Sequence, residues 1–345
     1  GYTWPGRTFQ VRSNEPLEVR WESRLGTLPM PVTSFGRPVI DTSLHWAYSL
    51  HGYTGYSVQN DGVPIVPHVH GGHTDFQFDG NPEFFFNQDW AVRGPQWLEK
   101  TYMYDNGQPA GTVWYHDHAL GITRLNVYAG MAGFYIIRDD DDTGLPGNPI
   151  GLPAFPYETA LAIQDKMFHA DGSLFYPAFP GDPFYEDFID GEGATLPPAL
   201  FPGGGPTGLA EFFGDHMVVN GVIWPKMDVE PRNYRLRLLN GCDSRFLVIR
   251  FRAVPLGETD FTNAGALLPF TVVGSDQGLA SETTTTDTLV VETGSRYDIV
   301  FDFGDFDGKR IIMENIGGDT PFGFSYGDDL DPEDVFPDRQ TDRIM

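Results

Sequence analysis

The sequence predicts an all-β chain of two domains, on three observations. Its 345 residues exceed the roughly 250 at which a single core stops growing. Forty-one glycines and 28 prolines punctuate it, which suits many short strands joined by turns better than long helices. Its apolar residues recur mostly with period two, the signature of half-buried strands.

Taken in order, Phe9 and Val11 alternate with Gln10 and Arg12, and Leu17, Val19 and Trp21 alternate with Glu18, Arg20 and Glu22. Residues 30–62 keep no steady period and read as a long connection. Strand character returns from Gly111 to Asp139 and is broken by the acidic turn segment Asp139–Gly147. The expected domains are therefore 1–142 and 158–316, joined by a linker at 143–157 and followed by a second linker at 317–345. In the second domain, strands are expected at Glu158–Lys166, Tyr234–Leu238, Phe246–Phe251 and Tyr297–Phe303, with a hairpin turn at Asn220-Gly221. The stretch Phe175–Gly214 reads as a long ordered loop. A faint repeat links EPLEVRW (Glu15–Trp21) with EPRNYRLR (Glu230–Arg237), each a Glu-Pro leading into a strand with arginine on its outer face.

The net charge of −26 argues against binding nucleic-acid phosphates or anionic lipid, because both require clustered Lys and Arg. A saline habitat would account for so acidic a surface, and so would an acidic secreted protein or a biased genome. No segment has the roughly 18 to 20 consecutive apolar residues of a membrane helix. Cys242 is the lone cysteine, so no internal disulfide reports on compartment. A secreted or cell-surface location is the expectation, with a cytoplasmic one left open.

Four of the nine histidines fall into two His-x-His pairs, His68/His70 in PHVHGG and His116/His118 in WYHDH. In a strand, residues i and i+2 share a face, so each pair presents two imidazoles side by side while Val69 and Asp117 point away. Four imidazoles suit copper, zinc, iron or nickel, and the lack of a carboxylate between them disfavours a facial-triad iron site. Gly71 and Gly72 permit close backbone approach, and Trp114 and Tyr115 offer bulk to exclude water. His45, His51, His73, His169 and His216 read as ordinary polar residues.

These residues resemble a family. HVHGG, DGNPE (Asp79–Glu83), WYHDHALGITRLNVYAGMAGFYIIRD (Trp114–Asp139), DGSLFYP, VNGVIWPKMDVEPRNYRLRLLN, GSDQGL and SRYDIVFDF are similar to the multicopper oxidases, especially their spore-coat laccase, bilirubin oxidase and phenoxazinone synthase group. The resemblance covers nearly the whole chain. It implies two cupredoxin-like Greek-key β-sandwich domains of the family's three, and a laccase-like oxidoreductase. Such enzymes couple one-electron oxidation of phenolic, aminophenolic, bilirubin-like or metal-ion substrates to reduction of dioxygen to water. It also implies a trinuclear copper cluster, with His68 on the type 2 copper and His70, His116 and His118 on the type 3 pair. Asp79 is a candidate for proton supply, or else simply the aspartate of an Asp-Gly turn. Asp117 would orient structure behind the site.

The resemblance also implies a partner. The family's other four cluster histidines and its His-Cys-His segment with the type 1 copper belong to a C-terminal cupredoxin domain that these residues do not include. Cys242 has no flanking histidine and reads as an inert core thiol. Two other classes remain in view: a cupredoxin-derived binding or structural protein that holds metal without redox chemistry, and a mononuclear hydrolase or dioxygenase using one histidine pair.

Overall fold

A computed structural model describes residues 4–26, 61–176, 211–337 and 340–345. Most of the predicted long connection and of the 175–214 loop, and with them His45 and His51, lie outside the described residues. The described residues are almost entirely β, as the composition predicts. The first sandwich contains β1 (Phe9–Arg12), β2 (Leu17–Arg20), β3 (Pro67–His70), β4 (Thr101–Tyr104), β5 (Gly111–Asp117) and β6 (Ala132–Arg138). One sheet runs β1-β6-β5-β3 and the other pairs β2 with β4. Between them lies a core of Val69, Tyr102, Tyr104, Val113, Tyr135 and Ile137, closed by Phe9, Val11, Leu17 and Val19. The apolar members of the early alternation thus face inward, as period two requires.

The second sandwich begins at β7 (Glu158–Phe168), followed by β8 (Leu174–Phe175), β9 (His216–Val219), β10 (Val222–Ile223), β11 (Asn233–Asn240), β12 (Leu247–Pro255), β13 (Phe270–Ser275), β14 (Gly278–Thr286), β15 (Leu289–Val291), β16 (Arg296–Asp302) and β17 (Lys309–Asn315). Its larger sheet runs β10-β9-β7-β11-β16-β13-β14, and its smaller one β15-β12-β17. β9 and β10 form the expected hairpin, with Asn220 and Gly221 at φ 50° and 81°, the left-handed pair that a two-residue turn demands. In each sandwich the first strand runs parallel to a later one, β1 with β6 and β7 with β11, so both use a crossover rather than a plain meander.

Two expectations are corrected. The run from Gly111 to Asp139 is not continuous strand: α1 (Thr123–Tyr128) interrupts it, because Leu125 and Tyr128, three apart, bury together beside Val63 and Phe85. Arg235 and Arg237 are not on an outer face; both are 0% exposed. One face of β11 lines the second core, and the other is covered by the first sandwich, where Trp114, Phe134 and Ile136 meet Ala162 and Leu239. The segment at 317–345 packs on the second sandwich: Ile344 N donates to Met313 O at 2.8 Å, Met345 O accepts from Met313 N at 3.0 Å, and Asp319 pairs with buried Arg245.

The domain junction is therefore ionic as well as apolar. Arg237 donates to Thr112 Oγ1 of β5 at 2.6 Å, to Glu158 at 2.9 Å and to Asp298 at 3.0 Å. Arg235 reaches Asp142 at 2.8 Å, and Arg138 reaches Asp142 at 3.1 Å. Each guanidinium is satisfied by several carboxylate contacts, the condition under which buried charge is tolerated.

Candidate metal centre

β3 and β5 are antiparallel neighbours in a register that sets His68 directly opposite His116 and His70 opposite Trp114. Side chains on directly opposed residues share a face, so alternation places His68, His70, Trp114 and His116 together. His68, His70 and His116 form a triad whose candidate ligand atoms all lie within 4.8 Å of one another. His118 follows β5; its backbone N–H donates to Val66 O at 2.8 Å, and its ring centroid lies 5.1 Å from that of His68 and 5.9 Å from that of His116. The structure thus gathers all four predicted imidazoles, three of them tightly.

Local contacts set the chemistry of each ring. His116 Nδ1 lies 2.6 Å from Asp117 O, which places its proton on Nδ1 and leaves an Nε2 lone pair facing His70 Nδ1 at 3.1 Å. Trp114 stacks on His70 with centroids 5.3 Å apart and packs on His116 at 4.2 Å, walling the pair from water. Burial pushes the pKa of His68 down, that of His70 to about 4 and that of His116 to about 3; for His70 the nearby Arg296 charge adds to burial. All three imidazoles are neutral at pH 7 with lone pairs available. The Nδ1 atom of His118 is buried without a hydrogen-bond partner among the described residues, while that of His68 faces Asp79. Neutral, converging nitrogens, one of them orphaned, fit a bound transition metal, for which imidazole is a natural ligand.

Asp79 Oδ1 lies 3.5 Å from His68 Nδ1 and accepts from Thr74 Oγ1 at 2.9 Å, and its side chain is half exposed. It therefore touches both the triad and solvent. The following Gly80, at φ 84°, passes so close that a β-carbon there would lie 2.5 Å from His68 Cβ. Asp117 turns away from the imidazoles, as its strand phase predicts. Its carboxylate accepts from Val66 N at 2.8 Å, Ala119 N at 3.0 Å and Asn126 Nδ2 at 2.9 Å, tying down the turn that carries His118. Burial raises that carboxyl to about 6.

Tyr115 does not wall the site. It occupies the opposite face of β5, beside Phe9 and Trp21 in the first core, because adjacent strand residues cannot share a face. What sequence reasoning missed comes from the second sandwich. A β-carbon on Gly294 would lie 3.6 Å from His70 Cε1 and 3.7 Å from Trp114, so the turn before β16 closes the wall beside the triad. Arg296, 1% exposed, follows it and donates to Thr112 O at 3.1 Å. The only signal was Ser295-Arg296 within a stretch of family likeness; no local pattern pointed at the histidines. Of the remaining histidines, His73 is exposed and His216 pairs with Asp215 at 2.6 Å. Cys242 is buried, with its thiol pKa pushed well up, as an inert core residue. No helix among the described residues is long and apolar enough to cross a membrane.

Residues 58–142, which contain both histidine pairs, match the family profile described as multicopper oxidase. The chain is 34% identical over 331 residues to a laccase of Bacillus subtilis, covering 96% of this chain and 54% of that protein. It is 32% identical over 290 residues to a bilirubin oxidase of Albifimbria verrucaria, covering 84% of this chain and 41% of that one. A solved multicopper oxidase from the hyperthermophile Aquifex aeolicus superposes with a TM-score of 0.54 at 28% identity, over 73% of this chain and 45% of that chain. The chain spans about half the length of the first curated relatives it matches.

Proposed function

Because the chain belongs to the multicopper oxidase family, we propose that it supplies half of the ligands of a trinuclear copper cluster in a laccase-like oxidase. His68 would hold the type 2 copper, and His70, His116 and His118 the type 3 pair. The complete oxidase draws its remaining ligands and its type 1 copper from a complementary cupredoxin domain outside these 345 residues. Bound copper would supply one-electron oxidation of a small reducing substrate, phenolic or of the bilirubin-like kind that one relative's name indicates, and reduction of dioxygen.

The residues of this chain do the holding and shielding. The Asp117 carbonyl fixes the His116 tautomer, so that Nε2 would be the atom that holds copper. Trp114 and the Gly294 turn exclude water from one side. Asp79, in contact with His68 and half open to solvent, would hand protons toward the site. The observation that carries the reading is the convergence of His68, His70 and His116 within 4.8 Å as neutral imidazoles.

The test is metal analysis and dioxygen uptake on the intact natural protein with a phenolic reductant. About three or more coppers with reductant-dependent oxygen consumption is the expected result. Copper without oxygen consumption would reduce the chain to a metal-binding cupredoxin, and no copper at all would remove the reading.

A further inference from the structure

His70 is held differently from its neighbours. A hydrogen bond to the Asp117 carbonyl orients the His116 ring, and Asp79 stands beside His68. The His70 ring is gripped by packing from both domains. Trp114 of β5 stacks on it with centroids 5.3 Å apart, and the turn before β16 closes on its edge: a β-carbon on Gly294 would lie 3.6 Å from His70 Cε1 and 3.7 Å from Trp114 Cζ2. Rotation of an imidazole about χ2 is soft, so without a rigid slot the ring would swing through many orientations. Only a narrow range of them aims Nδ1 at His116 Nε2, 3.1 Å away.

One side chain bonds the two walls of that slot together. Arg296, 1% exposed, donates through Nε to Thr112 O at 3.1 Å, on the strand that carries Trp114 two residues later. Through Nη1 it donates to Gly294 O at 2.9 Å, on the opposite wall. Its Nη2 donates to Asp276 O at 2.8 Å and backs Gly71, the residue after His70, where a β-carbon would sit 2.6 Å away. From the first sandwich the same turn is held by Gln108, which donates to Gly71 O at 2.9 Å and accepts from His73 N at 2.6 Å. Asp276 Oδ1, 3.1 Å from Nη1, offsets part of the guanidinium charge. A guanidinium presents its donors in one rigid plane and so can fix three carbonyls on two domains in a single geometry. A lysine ammonium, a point charge on a flexible stem, does not reproduce that fork.

We propose that Arg296 is a positioning residue for the metal centre, fixing the orientation of His70 by locking β5 of the first sandwich to the Gly294 turn of the second. This inference rests on the copper reading above. It makes the second sandwich, which among the described residues contributes no histidine to the cluster, part of the site's construction.

The test titrates copper(II), against a competing chelator, into the metal-free form of the intact natural protein. Arg296→Met and Arg296→Lys should each bind copper about 10- to 100-fold more weakly, the usual cost of losing a group that orients a metal-ligating histidine. The electron paramagnetic resonance spectrum of the copper they retain should also change. Asp276→Ala, at a half-exposed side chain that bonds Arg296 N at 2.7 Å, loosens the guanidinium without emptying a buried place and should weaken binding a few-fold. Ile249→Ala, in the second core and away from the junction, destabilises the same sandwich by lost packing and should leave copper affinity and spectrum unchanged. Full affinity in Arg296→Lys, or an equal loss in Ile249→Ala, overturns the proposal. Where the Arg296 variants do not fold, unchanged binding by Asp276→Ala overturns it. Failure of the unsubstituted protein to bind copper overturns the functional reading and this inference with it, an outcome distinct from variants that bind as well as their parent.

Discussion

The guanidinium of Arg296, in the second sandwich, lies against Gly71, the residue after His70: a β-carbon on Gly71 would sit 2.6 Å from its Nη2. Arg296 cannot step aside, because it also donates to Thr112 O at 3.1 Å, Gly294 O at 2.9 Å and Asp276 O at 2.8 Å. The glycine after the first histidine pair is thus the footprint of the second domain.

Gly71→Ala should lower unfolding free energy by roughly 1–3 kcal/mol, from its left-handed backbone and from this clash together. Gly172→Ala is the comparison: its φ is 83°, but nothing lies within 4 Å of the added carbon, so it pays backbone strain alone. Urea denaturation of both variants checks the point. Equal losses would mean that the contact with Arg296 carries no energy.

Asp298 is 3% exposed and accepts from Arg235 at 3.2 Å, Arg237 at 3.0 Å and Thr112 at 2.6 Å, which joins the sandwiches through one carboxylate. Asp298→Asn leaves two guanidiniums short of charge in a buried place and should cost about 3–5 kcal/mol. The partly exposed Arg252–Glu314 pair, at 3.0 Å, offers the contrast: Arg252→Met should cost about 1 kcal/mol or less. Equilibrium unfolding of the two variants measures both, and a small loss for Asp298→Asn would show the junction to be held by its apolar contacts alone.

How much of this was legible in the sequence depends on the range of the interaction. The shared face of His68 and His70 follows from a period of two within one strand, and the hairpin at Asn220-Gly221 follows from two adjacent residues; both were readable. Arg235 and Arg237 alternate with Tyr234, Leu236 and Leu238, which is also the pattern of a half-exposed strand. Only the first sandwich covering that face makes them buried, and no window along β11 contains that information. The same holds for Arg296, which acts on a residue more than two hundred positions away. Tyr115 was misplaced for a different reason, since strand phase alone excludes it from the face that Trp114 shares with the histidines.

Within the proposed site, His116 and Asp79 should separate cleanly. His116→Ala removes a buried imidazole whose Nε2 faces His70, and copper content of the intact protein should fall with it. Asp79→Asn removes only the half-exposed carboxylate 3.5 Å from His68. It should retain copper while slowing dioxygen reduction by about a hundredfold, the scale of a lost proton-transfer group. Plasma emission spectrometry and an oxygen electrode read the two quantities. Loss of copper from Asp79→Asn would make that residue a structural support of His68 rather than a proton donor.

Lys166 provides a pH test away from the histidines. It is 2% exposed, its ammonium lies 4.3 Å from the Trp4 ring and 4.2 Å from the Tyr128 ring, and it donates to Tyr128 O. The adjacent Asp165 is already engaged by Arg245 at 3.0 Å and Gly214 N at 2.8 Å. Burial therefore dominates and holds the Lys166 pKa down to about 7, against 10.5 as its ordinary value. Between those two values the unfolded chain binds the proton and the folded one does not, so this lysine's contribution to stability rises with pH across the window and is lost as pH falls toward 7. Lys166→Met keeps the volume and removes the charge. It should stabilise the protein by about 1–4 kcal/mol at pH 7. The advantage should shrink steadily as pH is raised toward 10, where the wild-type lysine is increasingly neutral in both states. Denaturation curves of the two proteins at several pH values across that range give the difference directly, and a gap that stays constant with pH would show that Lys166 keeps its proton in the fold, held by the two aromatic faces and the carbonyl of Tyr128.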